Sequence, residues 1–346
     1  MRIGAFLLLL LILFCPLAGQ ANTSAGGKVL YIALWAEYLP AWVLQEFSQE
    51  TGIKVMPRFY AQRAAGYSLI ADQAVIDLCL VSGGSMERLW RDKLLLPIDA
   101  GQLKNLEHLL PAALQYVVKD NNYAAIPYTW NLMGLVINKA MLDPSLLTSY
   151  KGLWNAKVKS RLYLPESPQM LAGIGLLAGG YSANESAGSA LSKAYQKMAE
   201  LAPFVDGISN YGMLEAMARG SAAVGVIWNG MVGAYRLAGL SNISFVLPEE
   251  RPLLLIDYWV IPHSAGNVRA AYAFVDYLMR PDVAQRMMKE VGYPVINATA
   301  NQNMPDTLKG NVLLNPPAEL LDKAETERYV EAAGKMFEPL RRLYND

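Results

Sequence analysis

A chain of 346 residues with 53% hydrophobic and 17% charged side chains has material for two packed domains and is too apolar to stay disordered. Its 30 basic residues balance 30 acidic ones, which excludes the strong positive field of a nucleic-acid binder and gives no pull toward an anionic membrane surface.

Residues 1–21 stand apart. Arg2 gives a short positive start, "AFLLLLLILFCPLA" an apolar run, and "AGQA" small residues for cleavage after Ala21, the pattern of a secretory signal peptide. The run is short for a spanning helix. Phe14 precedes Cys15 where lipoprotein signals carry a small residue, which argues against lipid attachment. Removing the segment takes away Arg2 and no acid, so 29 basic face 30 acidic side chains. Cys79 is then the only cysteine, and no intrachain disulfide can form even in an oxidising compartment.

After a small-residue linker, residues 22–26, apolar strand-like runs alternate with amphipathic helices, the signature of an α/β protein. "KVLYIALW" predicts a strand, and Pro40 opens a helix, "AWVLQEFSQETG", that Gly52 stops. "IKVMPRFYA" is a second strand, "AAGYSLIADQA" a short helix, and "IDLCLVSGG" a third strand running into a glycine-rich turn before the helix "SMERLWRDKLLLPID". Crossover units of this kind are right-handed by default and give a mostly parallel sheet. "YAAIPYTWNLMGLVINKAML" holds two apolar runs bridged by an aromatic turn, a candidate crossing between lobes. "SRLYLPES" is a strand, followed by the helical "QMLAGIGLLAGG" and "AGSALSKAYQKMAELA". "GMLEAMARGSAAVGVIWNG" is a helix and then a strand ending at Trp228, and "MVGAYRLAG" is another helix. "ISFVLPE" and "LLLIDYWVIP" read as strands paired with each other, "NVRAAYAFVDYLMRPDVAQRMMKEVGYPVINA" as helix, turn, helix, and the tail from Pro316 as helical and charged.

Several strands thus end in a polar or aromatic residue just before a helix: Trp35 with Glu37 and Tyr38, Ser82 with Gly83 and Gly84, Glu166 with Ser167, Trp228 with Asn229, and Asp257. In open α/β sheets ligands bind outside the carboxyl ends of strands, so these positions converge on one cleft. Taken alone, "YIALWAEYLP" reads as core aromatics around one solvated acid. Trp42, inside the following helix, keeps that core reading.

Familiar catalytic patterns are missing. His108 and His263 are the only histidines, both beside loops, and no spaced carboxylates or cysteines accompany them. A metal cage or a Ser-His-Asp arrangement therefore has little support. There is no nucleophile elbow, phosphate loop or dinucleotide glycine pattern. Cys79 lies within the apolar "DLCLV" and reads as a buried core residue. The sequence gives no catalytic residue, no cofactor and no metal site.

The segments "LWAEYLPAWVLQEFSQETGIKV", "IDLCLVSGGSMERLWRDKLLLPID", "AAIPYTWNLMGLVIN", "VGVIWNG", "DYWVIPHSA" and "YLMRPDVAQRMMKEVGYPVINATA", taken in order, resemble the periplasmic spermidine/putrescine-binding proteins of ABC importers. The resemblance spans nearly the whole mature chain. It implies a two-lobed α/β periplasmic binding protein fold (type II), each lobe a mostly parallel sheet flanked by helices, with ligand in the interlobe cleft. The first lobe would be residues 27–131 with 257–300, the second 132–256 with 301–346. It further implies a polyamine ligand, an inner-membrane permease as partner, the periplasm as compartment, and no covalent chemistry. A monomer is expected, since a clamp must move and no heptad asks for a partner.

In that family aromatic walls cover the methylene chain and carboxylates meet the ammonium groups. An aromatic face attracts a cation by ~0.5 to 2 kcal/mol, and a charged hydrogen bond adds ~1.5 to 3 kcal/mol. Matched position by position, Trp35 and Tyr38 are the first aromatic pair, Glu37 falls where some members have an acid, and Ser82 is the cleft serine. Trp228 is the tryptophan of "IWNG", Asp257 the carboxylate on an ammonium, and Glu166 an acid of the second lobe. Departures matter too. Gly84 stands where an aromatic or acid often follows the cleft serine, Leu255 where a tryptophan precedes the aspartate by two, Gln169 where a second acid is expected, and Glu327 about where spermidine binders carry glutamine. Glu37, Tyr258 or Trp259 are the candidates to compensate. Two alternatives stay open: a polyamine-sensing accessory that docks on a membrane receptor, and the same fold redirected to another small cationic or amino compound.

Overall fold

A computed structural model describes residues 28–344 apart from 63, 120–121, 156–160, 307, 310, 317–319 and 321–322. The signal-peptide and linker expectations, residues 1–26, lie outside the described residues. Among the described residues no helix is long and apolar enough to cross a membrane.

The strands, in chain order, are β1 (Val29–Trp35), β2 (Lys54–Tyr60), β3 (Leu78–Ser82), a small hairpin β4 (Val118–Lys119) and β5 (Asn122–Tyr123), then β6 (Ile126–Asn138) and β7 (Leu162–Leu164). They continue as β8 (Val205–Ile208), β9 (Val224–Trp228), β10 (Ile243–Val246), β11 (Leu253–Val260) and β12 (Glu325–Thr326). One sheet runs β2-β1-β3-β11-β6-β9-β7-β8, with β10 on β6 and β12 on β11. Its wings are parallel: β1 with β2 and β3, and β7 with β8 and β9. Its middle is antiparallel, with β11 between β3 and β6, and β6 continuing onto β9. Two parallel wings flanked by helices and joined by two long strands make the two-lobed α/β architecture that the sequence implied.

Local signals placed the helix ends well. Pro40 precedes the helix Ala41–Thr51, and Gly52 closes it at φ 70° with its N–H on the Ser48 carbonyl. Pro281 opens the helix Pro281–Val291, and Gly292 ends it at φ 81°. At Gly292 a Cβ would also lie 2.5 Å from the Ala234 nitrogen. Glycine there meets two demands together, a left-handed turn and backbone contact with the helix Asn229–Leu237.

Three expectations need correction. Residues 126–138 form one strand, buried at every position, and contain no bridging turn. A strand covered on both faces loses the polar alternation that would mark it. β10 pairs with β6 and not with β11. β11 is buried along its full length and takes the sheet's centre, so its neighbour in sequence is not its neighbour in space. Gly83 and Gly84 form no separate turn either. They are the first residues of the helix Gly83–Arg91, entered directly from Ser82.

The two faces of the central strands pack into different cores. Met133, Leu135, Leu253 and Leu255 join one, whereas Trp130, Leu132, Leu254, Ile256 and Tyr258 join the other. Thr129, Asn131 and Asp257 alternate with the second set and so share the first face. At the joint the register slips: Asp257 faces Thr129, yet Tyr258 faces Pro127. Tyr128 is the extra residue, a β-bulge beside a proline that has no N–H to give. The Tyr128 carbonyl accepts the Ile296 N–H at 2.7 Å instead.

Candidate functional site

Asp257 is 1% exposed, and its Oδ2 accepts the hydroxyls of Tyr38 at 2.8 Å and Thr129 at 3.0 Å. Two donors on one oxygen fix the carboxylate in direction. Ser82 lies directly across β3 from Asp257. Its hydroxyl donates to Ser85 Oγ at 3.3 Å. One rung of the sheet thus reads Ser82, Asp257, Thr129, two hydroxyls flanking an acid.

Over this rung stands an aromatic cluster. Trp35 ends β1, and the turn Ala36–Tyr38 brings the Tyr38 ring to 5.4 Å from it. Tyr60, opposite Trp35 in the β1–β2 register, meets the indole edge-on at 5.1 Å, and Tyr293 packs on Tyr38 at 4.6 Å. These centroid spacings are those of favourable ring pairs. Burial first, then the neighbouring Cys79 and the charge of Asp257, push the Tyr60 phenol well above its ordinary range, so it remains a neutral donor. It donates to the Leu80 carbonyl.

Trp228 ends β9 opposite Met133 and is buried. Met133 is four residues beyond Thr129, so Trp228 stands on the same face, two rungs from Asp257. Glu327 is buried, and its N–H donates to the Leu254 carbonyl at 2.8 Å. That bond extends the β11–β12 ladder and sets Glu327 opposite Leu255. Ser82, Asp257, Trp228 and Glu327 are therefore brought onto one face, and Tyr38, bonded to Asp257, and Trp35, packed on Tyr38, stand at its β1 end.

Other residues singled out from the sequence stand differently. Glu166 is exposed, and its Oε1 accepts the Asn210 N–H at 3.2 Å. After the dominant contact with Glu338, its charge also helps raise the pKa of the Arg341 guanidinium, so the acid already has a basic neighbour. Gln169 Oε1 accepts the Val330 N–H at 3.3 Å and so ties down the segment after Glu327. Glu37 lies in the turn after β1, and its side chain is outside the described residues. Neither proposed aromatic replacement faces the cluster. Tyr258 points into the opposite core, and Trp259 is buried against Tyr128 and Phe274. The space beside Gly84 is filled from elsewhere, since a Cβ there would lie 3.1 Å from Tyr329 Cβ. Trp42 is half-buried with the Arg286 guanidinium 3.7 Å over its ring, so its core reading holds for one side only.

Thr129, Tyr60 and Tyr293 were missed. Tyr60 was legible in principle, because it ends a strand just as Trp35 does. Thr129 was hidden within the expected turn, and Tyr293 reaches the cluster only through the Gly292 turn.

Cys79 is buried, and burial pushes its thiol up to about 12, opposed by a hydrogen bond with Tyr60. A thiolate is thus scarce at neutral pH. His108 Nδ1 lies 3.0 Å from Thr299 Oγ1, and His263 is exposed. Among the described residues no group of three or more His, Cys, Asp or Glu side chains could hold a metal ion.

The family model for bacterial extracellular solute-binding proteins matches residues 42–315. A spermidine/putrescine-binding periplasmic protein of Escherichia coli K12 is 29% identical over 321 residues, 92% of each chain. The putrescine-binding periplasmic protein PotF of the same organism is 26% identical over 323 residues, 88% of this chain and 87% of the other. The crystal structure of the spermidine/putrescine ABC transporter substrate-binding protein PotD from Streptococcus pneumoniae superposes with a TM-score of 0.81 at 25% identity, covering 92% of this chain and 100% of that one.

Proposed function

The chain belongs to the bacterial extracellular solute-binding proteins, and from that premise we propose that it binds a polyamine of the putrescine or spermidine kind between its lobes and delivers it to an inner-membrane ABC permease. The observation that carries the ligand class is Asp257, a buried carboxylate aimed by Tyr38 and Thr129 beneath the Trp35, Tyr38, Tyr60 and Tyr293 rings. A buried acid set against aromatic faces favours an ammonium on an apolar stem. The acid supplies charge, and the rings supply cation–π attraction and cover the methylenes.

In this proposal Asp257 holds one ammonium, Trp35, Tyr38, Tyr293 and Trp228 wall the chain, Ser82 offers a hydroxyl, and Glu327 supplies a second negative group. Glu166 and Gln169 take outer places or positioning roles at the rim, and Glu37 is a further candidate acid. The lobes divide at β6 and β11, near residues 131 and 257. The mature protein works in the periplasm as a monomer after loss of residues 1–21, and no bond is made or broken in the ligand.

Calorimetric titration of the mature protein with putrescine, spermidine and norspermidine tests this. Binding of at least one is expected, and no heat with any of the three defeats the ligand assignment.

A further inference from the structure

We infer that Asn131 is a specificity-determining ligand contact that receives the second nitrogen of the bound amine, an inference that rests on the polyamine reading above. Asn131 lies two residues beyond Thr129 on β6 and directly opposite Leu255 on β11. It therefore occupies the Asp257 face, one step along the strands, roughly 7 Å away. A short methylene chain spans such a step between neighbouring nitrogens.

The side chain is 1% exposed, and neither Oδ1 nor Nδ2 has a hydrogen-bond partner. Buried amides are almost always paired, because leaving them unpaired forfeits their bonds to water. A buried amide left unpaired beside an acid and an aromatic wall marks a place where a partner arrives. The surroundings join it to the same wall. A Cβ added at Gly230 would lie 2.4 Å from Asn131 Oδ1 and 2.5 Å from Tyr293 Cδ1, so the amide oxygen and the Tyr293 ring border one spot. Tyr293 packs on Tyr38, and Tyr38 holds Asp257. Trp130 Nε1 also lacks a partner, but that ring belongs to the core on the other face.

The rung reads Glu327, Leu255, Asn131. Leu255 gives the methylenes an apolar bed. Asn131 Oδ1 accepts an N–H of the second ammonium from one side, while Glu327 contributes negative charge from the other. One nitrogen then meets Asp257, and the next meets an amide and an acid.

The test compares putrescine with butylamine, which keeps the chain and a single nitrogen, by calorimetry on the wild type, Asn131→Leu and Asn131→Asp. The leucine removes the acceptor and is expected to weaken putrescine by about tenfold or more, with butylamine unchanged within twofold. The aspartate keeps an acceptor and is expected to bind putrescine at least as tightly as the wild type. Should Asn131→Leu not fold, Asn131→Ala carries the same expectation. Equal losses for both amines would mean a structural role, and a putrescine affinity within twofold would mean no contact; either overturns the inference while leaving the polyamine reading standing. If the wild type binds no diamine, the reading fails first and the inference with it.

Discussion

Replacing Asp257 with asparagine separates a binding role from a structural one, because the two predict opposite effects on the unliganded protein. Asp257 is 1% exposed and accepts two hydroxyl bonds through one oxygen. Without ligand, keeping a charge in that place costs desolvation free energy that neutral hydroxyls only partly return. Asparagine is nearly the same size and still accepts through its carbonyl oxygen. The unliganded Asp257→Asn protein should therefore be as stable as the wild type, or more stable by about 1 kcal/mol. With ligand the sign reverses. The ammonium loses its charged partner and is left buried without full compensation, at a cost of about 3 kcal/mol or more. That is roughly a hundredfold in Kd. Calorimetry with putrescine and spermidine gives the second quantity, and thermal unfolding without ligand gives the first. A fall in both, or a Kd within fivefold of the wild type, would refute the assignment of Asp257 as the ammonium's anchor.

Three further expectations follow from particular contacts. Gly292→Ala puts a Cβ 2.5 Å from the Ala234 nitrogen at φ 81°, so strain and overpacking together should cost about 3 kcal/mol, seen as a lower urea midpoint with an unchanged slope. Cys79 is pushed from 9.0 up to about 12 by burial, so between those values the unfolded chain releases a proton that the folded one keeps. Stability should then fall as pH rises, by about 1.4 kcal/mol per pH unit for this group; Cys79→Ala should flatten that decline and leave putrescine affinity within twofold, whereas a tenfold loss of affinity would put Cys79 in the site. Glu166→Gln should change putrescine affinity by less than about threefold, since an exposed charge with a basic neighbour contributes little, and a tenfold loss by calorimetry would return Glu166 to the cleft.

Much of the candidate site was legible because strand exits are. Trp35, Ser82, Trp228 and Asp257 each end or punctuate an apolar run, and the rule that ligands gather at carboxyl ends selects them without knowledge of how the strands are ordered. What the rule cannot supply is face and register. Tyr258 and Trp259 follow Asp257 immediately, yet alternation and the bulge send them into packed core. Asn131 looked like part of a turn because β6, buried on both sides, carries no polar alternation. Glu166 ends its strand as a cleft acid would, and the neighbours that share it, Asn210 and Arg341, come from distant segments that local sequence does not reveal. Gly84 looked like a gap in the wall until Tyr329, far away in sequence, filled it.

The slipped register at Asp257 has a mechanical side. β6 and β11 are the long members shared by both wings, and their ladder falls out of step at Tyr128, beside the residue proposed to grip the ligand. With the lobes divided near residues 131 and 257 as proposed, a rotation of one wing on the other would turn on the stretch of β6 and β11 beside this fault. The gripping group would then sit at the axle, with the jaws free to sweep around it. Asp257, tied to Tyr38 and Thr129, would move least while the far wing travelled, and a cation settling on it would be held before that wing closed.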